Sequence, residues 1–308
     1  MITNIVLHCG EMKIIHQIDE DFLIRELTKK EFPKQLLEIP QPPEKLFIRG
    51  ELPGPNTKLL CVVGSRRYTN YGKEACEKLI AGLRGYDVAI VSGLAIGIDG
   101  ISHEAAINNG LRTIAIPGSG LGVSSVHPIA HLGLAKKILD SGGCMLSEYE
   151  ADFKATRYSF PQRNRIMAGL SCAVLVIEAE IKSGTLITSR MATDYNKDVL
   201  ALPGNIFSKT SAGPHMLIRL GATPITKPEE LIEALGFKNK NEAPRNLELE
   251  YNECSPEEKK VIAILREPTE KDELLRTLDM PIGQANAVLS IMELKGLIKE
   301  TLGEIHLT

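Results

Sequence analysis

The run Phe160-Pro161-Gln162-Arg163-Asn164-Arg165-Ile166 sets one aromatic ring beside two guanidinium groups, with Arg157 and Tyr158 just upstream. A guanidinium is a planar fork that grips phosphate oxygens in pairs. An exposed aromatic ring offers a face to an unpaired base. Together these residue types point to a site for single-stranded nucleic acid. The same residues also fit a loop whose Phe160 enters the core while its arginines are solvated or paired with acids, and on this stretch alone the two readings weigh equally.

Four other glycine- and hydroxyl-rich stretches could serve an anion. Gly64-Ser65-Arg66-Arg67 follows an apolar run and could cradle a phosphate on backbone N–H groups, a hydroxyl and a guanidinium; the alternative is a plain tight turn. Ser92-Gly93-Leu94-Ala95 also follows an apolar run, and Asp99 beyond it is expected to cap the next helix. Pro117-Gly118-Ser119-Gly120-Leu121-Gly122 is not the full dinucleotide fingerprint, and no acidic residue follows the first strand where a ribose partner belongs, which argues against hydride chemistry. Ser183-Gly184-Thr185 offers hydroxyls and free amides ahead of a helix, as an anion contact, an ordinary cap, or both. His103, His127, His131 and His215 stand outside any triad-like context, and Glu148, Glu178 and Glu180 lie at strand ends without a metal motif.

The elements that must position these residues read as strand and helix in alternation. Apolar runs at 59–63, 88–91, 113–116, 144–146, 173–177 and 199–202 predict buried strands, and helices are expected over 72–83, 98–109, 129–139, 185–195, 216–220 and 229–235. This order predicts an α/β fold, an extended Rossmann-like, doubly wound and mainly parallel sheet whose ligands sit beyond the carboxyl ends of the strands. Residues 1–50 read as a short extension, 51–237 as the main domain and 238–254 as a polar linker. Ser255-Pro256-Glu257-Glu258 then forms a capping box. Three helices and a strand pair turning at Gly303 give residues 255–308 the order of a small winged helix.

Charge separates these segments. The net charge is −3, yet residues 51–237 carry 19 Lys and Arg against 17 Asp and Glu, whereas 255–308 carry 7 against 10. The positive segment is the one that holds the aromatic and guanidinium run. The acidic winged helix fits a protein contact better than a duplex. Six scattered cysteines form no CxxC pair, so no metal is expected and the thiols read as buried hydrophobes of a reducing, cytoplasmic compartment. The chain opens without a signal-peptide pattern and has no apolar stretch near the ~20 residues of a membrane span.

With these pieces in place the chain resembles the DprA/Smf family of DNA-processing proteins over about 59–235, and more weakly over 255–308. The resemblance rests on an ordered series: Val-Gly-Ser-Arg at 63–66, Tyr71-Gly72, Ser-Gly-Leu-Ala-x-Gly-Ile-Asp at 92–99, His103, Gly-x-Gly-Leu at 118–121, Leu-Ser-Glu-Tyr at 146–149, Phe-Pro-x-Arg-Asn-Arg-Ile at 160–166, Ser-Gly-Thr-Leu-Ile-Thr at 183–188, Arg190 and Pro203-Gly204. It implies a single-stranded DNA-binding protein that protects incoming DNA in natural transformation and helps load the RecA recombinase, as a homodimer without catalytic activity or cofactor. By the same resemblance Arg66, with Gly64 and Ser65, and Arg157 would contact phosphate, and Phe160 would stack on a base. Arg163 and Asn164 would line the pocket, with Ser92, Gly93, Ser183, Gly184 and Thr185 as neighbouring contacts, while Arg165 would brace the segment. His127-Pro128 stands where the family commonly has Tyr-Pro, and Gly213-Pro214-His215 where it has Gly-x-Asn. Two other classes stay open: a Rossmann-like hydrolase of nucleoside monophosphates, whose Gly-Gly-x-Gly-Thr loop is absent here, and an adaptor working through the winged helix.

Overall fold

Continuous apolar runs fold as strands buried on both faces. The computed structural model describes residues 22–238, 254–265, 269–278, 280–295, 297–301 and 304–307. In chain order the elements of the first unit are β1 (Arg25–Glu26), α1 (Lys34–Leu37), β2 (Phe47–Gly50), β3 (Lys58–Val63), α2 (Asn70–Ala81), β4 (Val88–Ser92), α3 (Ile98–Asn108), β5 (Arg112–Ala115), α4 (Leu132–Asp140) and β6 (Cys144–Ser147). They continue with α5 (Ser159–Leu170), β7 (Ala173–Val176), α6 (Thr185–Asp194), β8 (Asp198–Ala201), α7 (Ala212–Arg219), β9 (Thr223–Pro224) and α8 (Pro228–Ala234).

The sheet has nine strands in the order β1-β2-β6-β5-β4-β3-β7-β8-β9. From β6 to β9 every pairing is parallel. Leu60, Cys61 and Val62 of β3 and Val174 and Leu175 of β7 are fully enclosed. Helices cover both faces and enclose three cores, one containing Cys61, Val63, Ile166 and Leu170, another Leu60, Val62, Leu79 and Ile98, and a third Phe47, Leu121, Leu132 and Ile138. The chain winds outward from β3 through β4 and β5 to β6, then returns to β7 on the other flank of β3. The order therefore reverses between β3 and β7, and an open α/β sheet binds its ligands in the crevice at such a reversal.

Two expectations change here. Residues from Phe22 onward are no separate extension: β2 pairs antiparallel with β6 (Ile48 opposite Leu146), and Leu27, Phe32, Leu36, Ile39 and Leu46 pack into the first core. The described residues from 22 to 238 fall in one compact unit. The Phe160-to-Ile166 run is not a loop but the first two turns of α5. Pro161 is the third residue of that helix, where its missing N–H removes only a donor that has no intrahelical partner anyway.

The second unit, described on its own, contains α9 (Pro256–Ile264), β10 (Thr269–Glu270), α10 (Lys271–Thr277), α11 (Ile282–Leu294), β11 (Ile298–Thr301) and β12 (Glu304–Leu307). The capping box forms, with Ser255 Oγ accepting from the Glu258 N–H at 3.2 Å and Glu258 Oε2 accepting from the Ser255 N–H at 2.7 Å. Val261, Leu274, Leu289, Met292 and Ile305 make its core. Beyond the expected strand pair, β10 adds a third strand against β12. Of the expected linker at 238–254, residues 239–253 lie outside the described residues, as does the turn at Gly303.

Candidate nucleic-acid interface

A cleft of about 500 Å³ opens at the β3/β7 reversal. The turn after β3 gives Gly64, Ser65, Arg66 and Arg67; the turn after β7 gives Glu180, Lys182, Ser183, Gly184 and Thr185; the start of α5 gives Phe160, Arg163 and Asn164. Four cations thus face two acids, Asp99 and Glu180.

The two turns are locked together. Thr185 Oγ1 donates to the Gly64 carbonyl at 3.1 Å, and Ser183 Oγ donates to Thr185 Oγ1 at 3.0 Å. Ser65 Oγ accepts from the Arg67 N–H at 3.0 Å, closing the β3 turn. A Cβ at Gly64 would lie 2.7 Å from the Ile98 side chain, so only glycine lets α3 approach this closely.

Phe160 is half-buried at the cleft mouth. The Arg66 guanidinium stands 5.7 Å over its ring, within cation–π range. The His127 ring lies at 5.7 Å, tilted by 54°. A Cβ on Gly118 would lie 2.6 Å from the Phe160 ring, so the glycine turn after β5 seats that ring.

Arg163 forms the floor. It is 5% exposed, and its neighbours Ile166, Met167 and Leu170 on the same face of α5 are buried as well. Its Nη1 donates to Met167 Sδ at 2.8 Å, while its Nε is buried with no hydrogen-bond partner. A Cβ at Gly93 would fall 1.5 Å from Arg163 Nη1 and 2.6 Å from Asp99 Oδ2, so glycine at 93 makes room for the guanidinium. Burial pushes the Asp99 carboxyl up from the ordinary carboxylate range, against the pull of Arg163 and of the Ala95 and Gly93 N–H groups. Burial likewise lowers Arg163, against the opposing pull of Asp99. Asp99 is the second residue of α3 and accepts from the Gly93 N–H at 3.1 Å, so it holds the β4 turn rather than capping its helix from outside.

Nine of the twelve residues expected at the site converge on the cleft; Ser92, Gly93 and Arg157 do not line it. Ser92 is fully buried and its Oγ donates to the Val62 carbonyl at 2.7 Å, a link between neighbouring strands. Gly93 lies behind Arg163 and borders a small adjoining hollow with His127 and Phe160. Arg157 is exposed and folds onto Tyr158, its guanidinium 4.6 Å over that ring. Arg165 pairs with Glu148 and donates to the Gln41 carbonyl at 2.7 Å, so it ties α5 to the segment before β2. Lys182 joins the cleft although its sequence neighbours gave no phosphate signal beyond Ser183-Gly184-Thr185. His103 is a core group: it is fully buried, with Nδ1 2.6 Å from Thr113 Oγ1, and burial pushes its imidazole down to about 3. The described residues contain no cluster of His, Cys, Asp or Glu able to hold a metal ion, and no helix long and apolar enough to cross a membrane.

The fold and cleft define a Rossmann-like α/β protein with a cationic switch-point site and an added winged-helix module. The chain belongs to the DprA family: the profile described as DNA recombination-mediator protein A matches residues 24–236, and the DprA winged helix domain matches 242–303. It is 44% identical over 206 residues to protein Smf of Escherichia coli K12, covering 67% of this chain and 54% of that protein, so it spans about half of that relative's length. It is 38% identical over 234 residues to the DNA processing protein DprA of Streptococcus pneumoniae R6, covering 73% of this chain and 82% of that one. The solved structure of the S. pneumoniae protein superposes with a TM-score of 0.64 at 36% identity, over 73% of this chain and 77% of that one. DNA processing protein A of Helicobacter pylori, solved to describe its single-stranded DNA binding mode, superposes at 0.61 and 30% identity, over 70% and 96% of the two chains.

Proposed function

We propose that this protein binds single-stranded DNA in the β3/β7 cleft without turning it over. The observation that carries this reading is Arg66 standing over the Phe160 ring above a buried Arg163 whose Nε has no partner. An anion drawn to the floor faces a guanidinium already desolvated, and a base beside it meets the Phe160 ring. Lys182, Arg67 and the Gly184 N–H extend the phosphate contacts along the cleft, while the Ser183 and Thr185 N–H groups hold the turn by donating to the Glu180 carbonyl at 2.9 Å and to Ser183 Oγ at 3.2 Å. The nucleotide-hydrolase alternative has less support, since Gly118-Ser119-Gly120-Leu121-Gly122 stands in place of a Gly-Gly-x-Gly-Thr loop. By kinship with the family, the bound strand is incoming DNA in natural transformation, protected by a homodimer that hands it to the RecA recombinase.

The test is anisotropy with a labelled oligonucleotide over a salt series. Arg66→Ala and Lys182→Ala should each weaken binding and flatten the slope of log K against log salt by about 0.7, the share of one single-strand phosphate contact. Phe160→Ala should weaken binding about fivefold or more with the slope unchanged. Wild-type affinity in Arg66→Ala and Phe160→Ala together would sink the cleft reading. For the recombinase step, the protein should speed RecA filament assembly on the same strand, and an unchanged lag would remove that step.

A further inference from the structure

A second cavity, of about 630 Å³, lies beside the cleft at the carboxyl ends of β7 and β8. Arg67 and Glu180 line the cleft, while Thr69 and Glu178 line the second cavity. The wall between them is therefore a ridge of one residue, Tyr68 and Ala179, beyond each of two adjacent strand ends, at most about 7 Å from lining residue to lining residue along the chain. One strand of nucleic acid can cross it.

The chemistry of the two cavities differs. The cleft carries cations on its floor. The second cavity has Glu178, 2% exposed, as the charged group in its lining. Glu178 Oε1 accepts from Thr69 Oγ1 at 2.7 Å and Thr210 Oγ1 at 2.9 Å, and Oε2 accepts from the Thr69 N–H at 2.8 Å. Oε2 retains acceptor capacity, and the carboxylate repels a phosphate. What suits this floor is a neutral edge with donors, such as the exocyclic amino group of a base.

The rim suits a base as well. Between the lining residues Asn205 and Ser208, Ile206 and Phe207 stand 78% and 89% exposed. Their loop is preformed, with Asn205 Oδ1 accepting from the Phe207 N–H at 2.8 Å and the Asn205 carbonyl from the Ser208 N–H at 3.0 Å. On the facing side the Tyr71 ring is 51% exposed and pinned by its hydroxyl to the Pro203 carbonyl at 2.6 Å. Arg67 beside the ridge and Lys209 beside the loop make no ion pair among the described residues, which leaves a cation on each side of the cavity for a passing backbone.

We propose that this second cavity receives an unpaired nucleobase from the strand held in the main cleft, its amino-bearing edge toward Glu178 and its face against Phe207. The inference rests on the cleft binding single-stranded DNA.

The experiment measures affinity for deoxycytidine oligonucleotides of about four and about twelve residues, the short one chosen to fill the cleft alone and the long one to cross the ridge as well. Phe207→Ala, at an exposed loop position, should weaken the long oligonucleotide about fivefold or more, the worth of one stacked base, and leave the short one unchanged. Arg66→Ala should weaken both. A 2-aminopurine placed along the long strand should be quenched at one position in wild type and regain fluorescence in Phe207→Ala. Loss in Arg66→Ala with wild-type binding in Phe207→Ala removes the second subsite and leaves the cleft. No loss in either removes both. A change of sedimenting mass in Phe207→Ala, with the quenching intact, makes the loop a contact between copies and overturns the proposal.

Discussion

Removing the guanidinium at the cleft floor should separate stability from DNA binding. Arg163 Nη1 and Asp99 Oδ2 stand 1.5 and 2.6 Å from the point a Gly93 Cβ would occupy. That puts the two charges within about 4 Å of each other, where a pair of unit charges is worth roughly 4 kcal/mol at an effective dielectric of 20. Both side chains are less than a tenth exposed. Arg163→Met fits the neighbouring Met167 and Ile166 but strands Asp99, and Asp99→Asn strands Arg163; each should cost about 3 kcal/mol. The double variant leaves no charge behind, while the new amide oxygen still accepts from the Gly93 N–H, so it should recover at least about 2 kcal/mol of the summed loss. The chain has no Trp, and all seven of its Tyr precede residue 255. Six of them fall between residues 68 and 195, so tyrosine near-ultraviolet circular dichroism during urea unfolding reads mainly the first unit, and a Tyr251→Phe background removes the remaining signal. On single-stranded DNA both Arg163→Met and the double variant should lose about tenfold or more, the worth of a hydrogen bond to a charged group. An Arg163→Met protein as stable as wild type would refute the buried pairing. A double variant with wild-type affinity would refute Arg163 as a DNA contact.

Two further outcomes follow from buried groups outside the cleft. His103 is held neutral in the folded state down to about 3, whereas it titrates near 6.5 when unfolded, so acid favours the unfolded chain. Its contribution is full above pH 6.5 and falls by about 2 kcal/mol on going from pH 8 to 5. His103→Asn, which keeps a donor for Thr113, should flatten the urea midpoint over that range by the same amount, and an unchanged pH slope would assign the acid sensitivity elsewhere. Arg165→Ala leaves Glu148, already carrying one buried oxygen without a partner, with no counter-charge. It should lower stability by about 2 kcal/mol while DNA affinity stays within about twofold; a loss of affinity matching that of Arg66→Ala would make Arg165 a contact.

The parallel sheet was legible because strands such as Leu59–Val63 are apolar without interruption, a pattern that only burial on both faces explains. The edge was not. Phe47-Ile48-Arg49-Gly50 is short, follows a proline cluster and contains a charge, and only its pairing with Met145 and Leu146, a hundred residues on, makes it a strand. The turns around the cleft could be read from their glycines and hydroxyls, but the direction of each hydroxyl could not. Ser92 reaches sideways to the Val62 carbonyl, while Ser183 reaches toward Thr185 inside the cleft. The early proline concealed α5. Once the run is helical, Arg163, Ile166, Met167 and Leu170 fall at the spacing of one helix face. α5 thus carries Arg163 and Phe160 on a rigid scaffold, one turned to the floor and one to the mouth of the same cleft.

The winged helix shows the opposite relation between fold and charge. A helix seated in a major groove faces phosphates and normally carries Lys and Arg for them. α11 has neither, and its charged residue is Glu293. Lys295, just past its end, is bound to Glu258 Oε1 at 2.7 Å inside the module. The face of α11 turned away from the core instead presents Ile291 and Leu294, 48% and 88% exposed. Such a surface gains little from a polyanion and loses the hydration of its apolar groups only against another apolar surface. The helix that would enter a duplex therefore lacks the cations that reading one requires, and the cations proposed for DNA are those of the first unit, around Arg66 and Arg163.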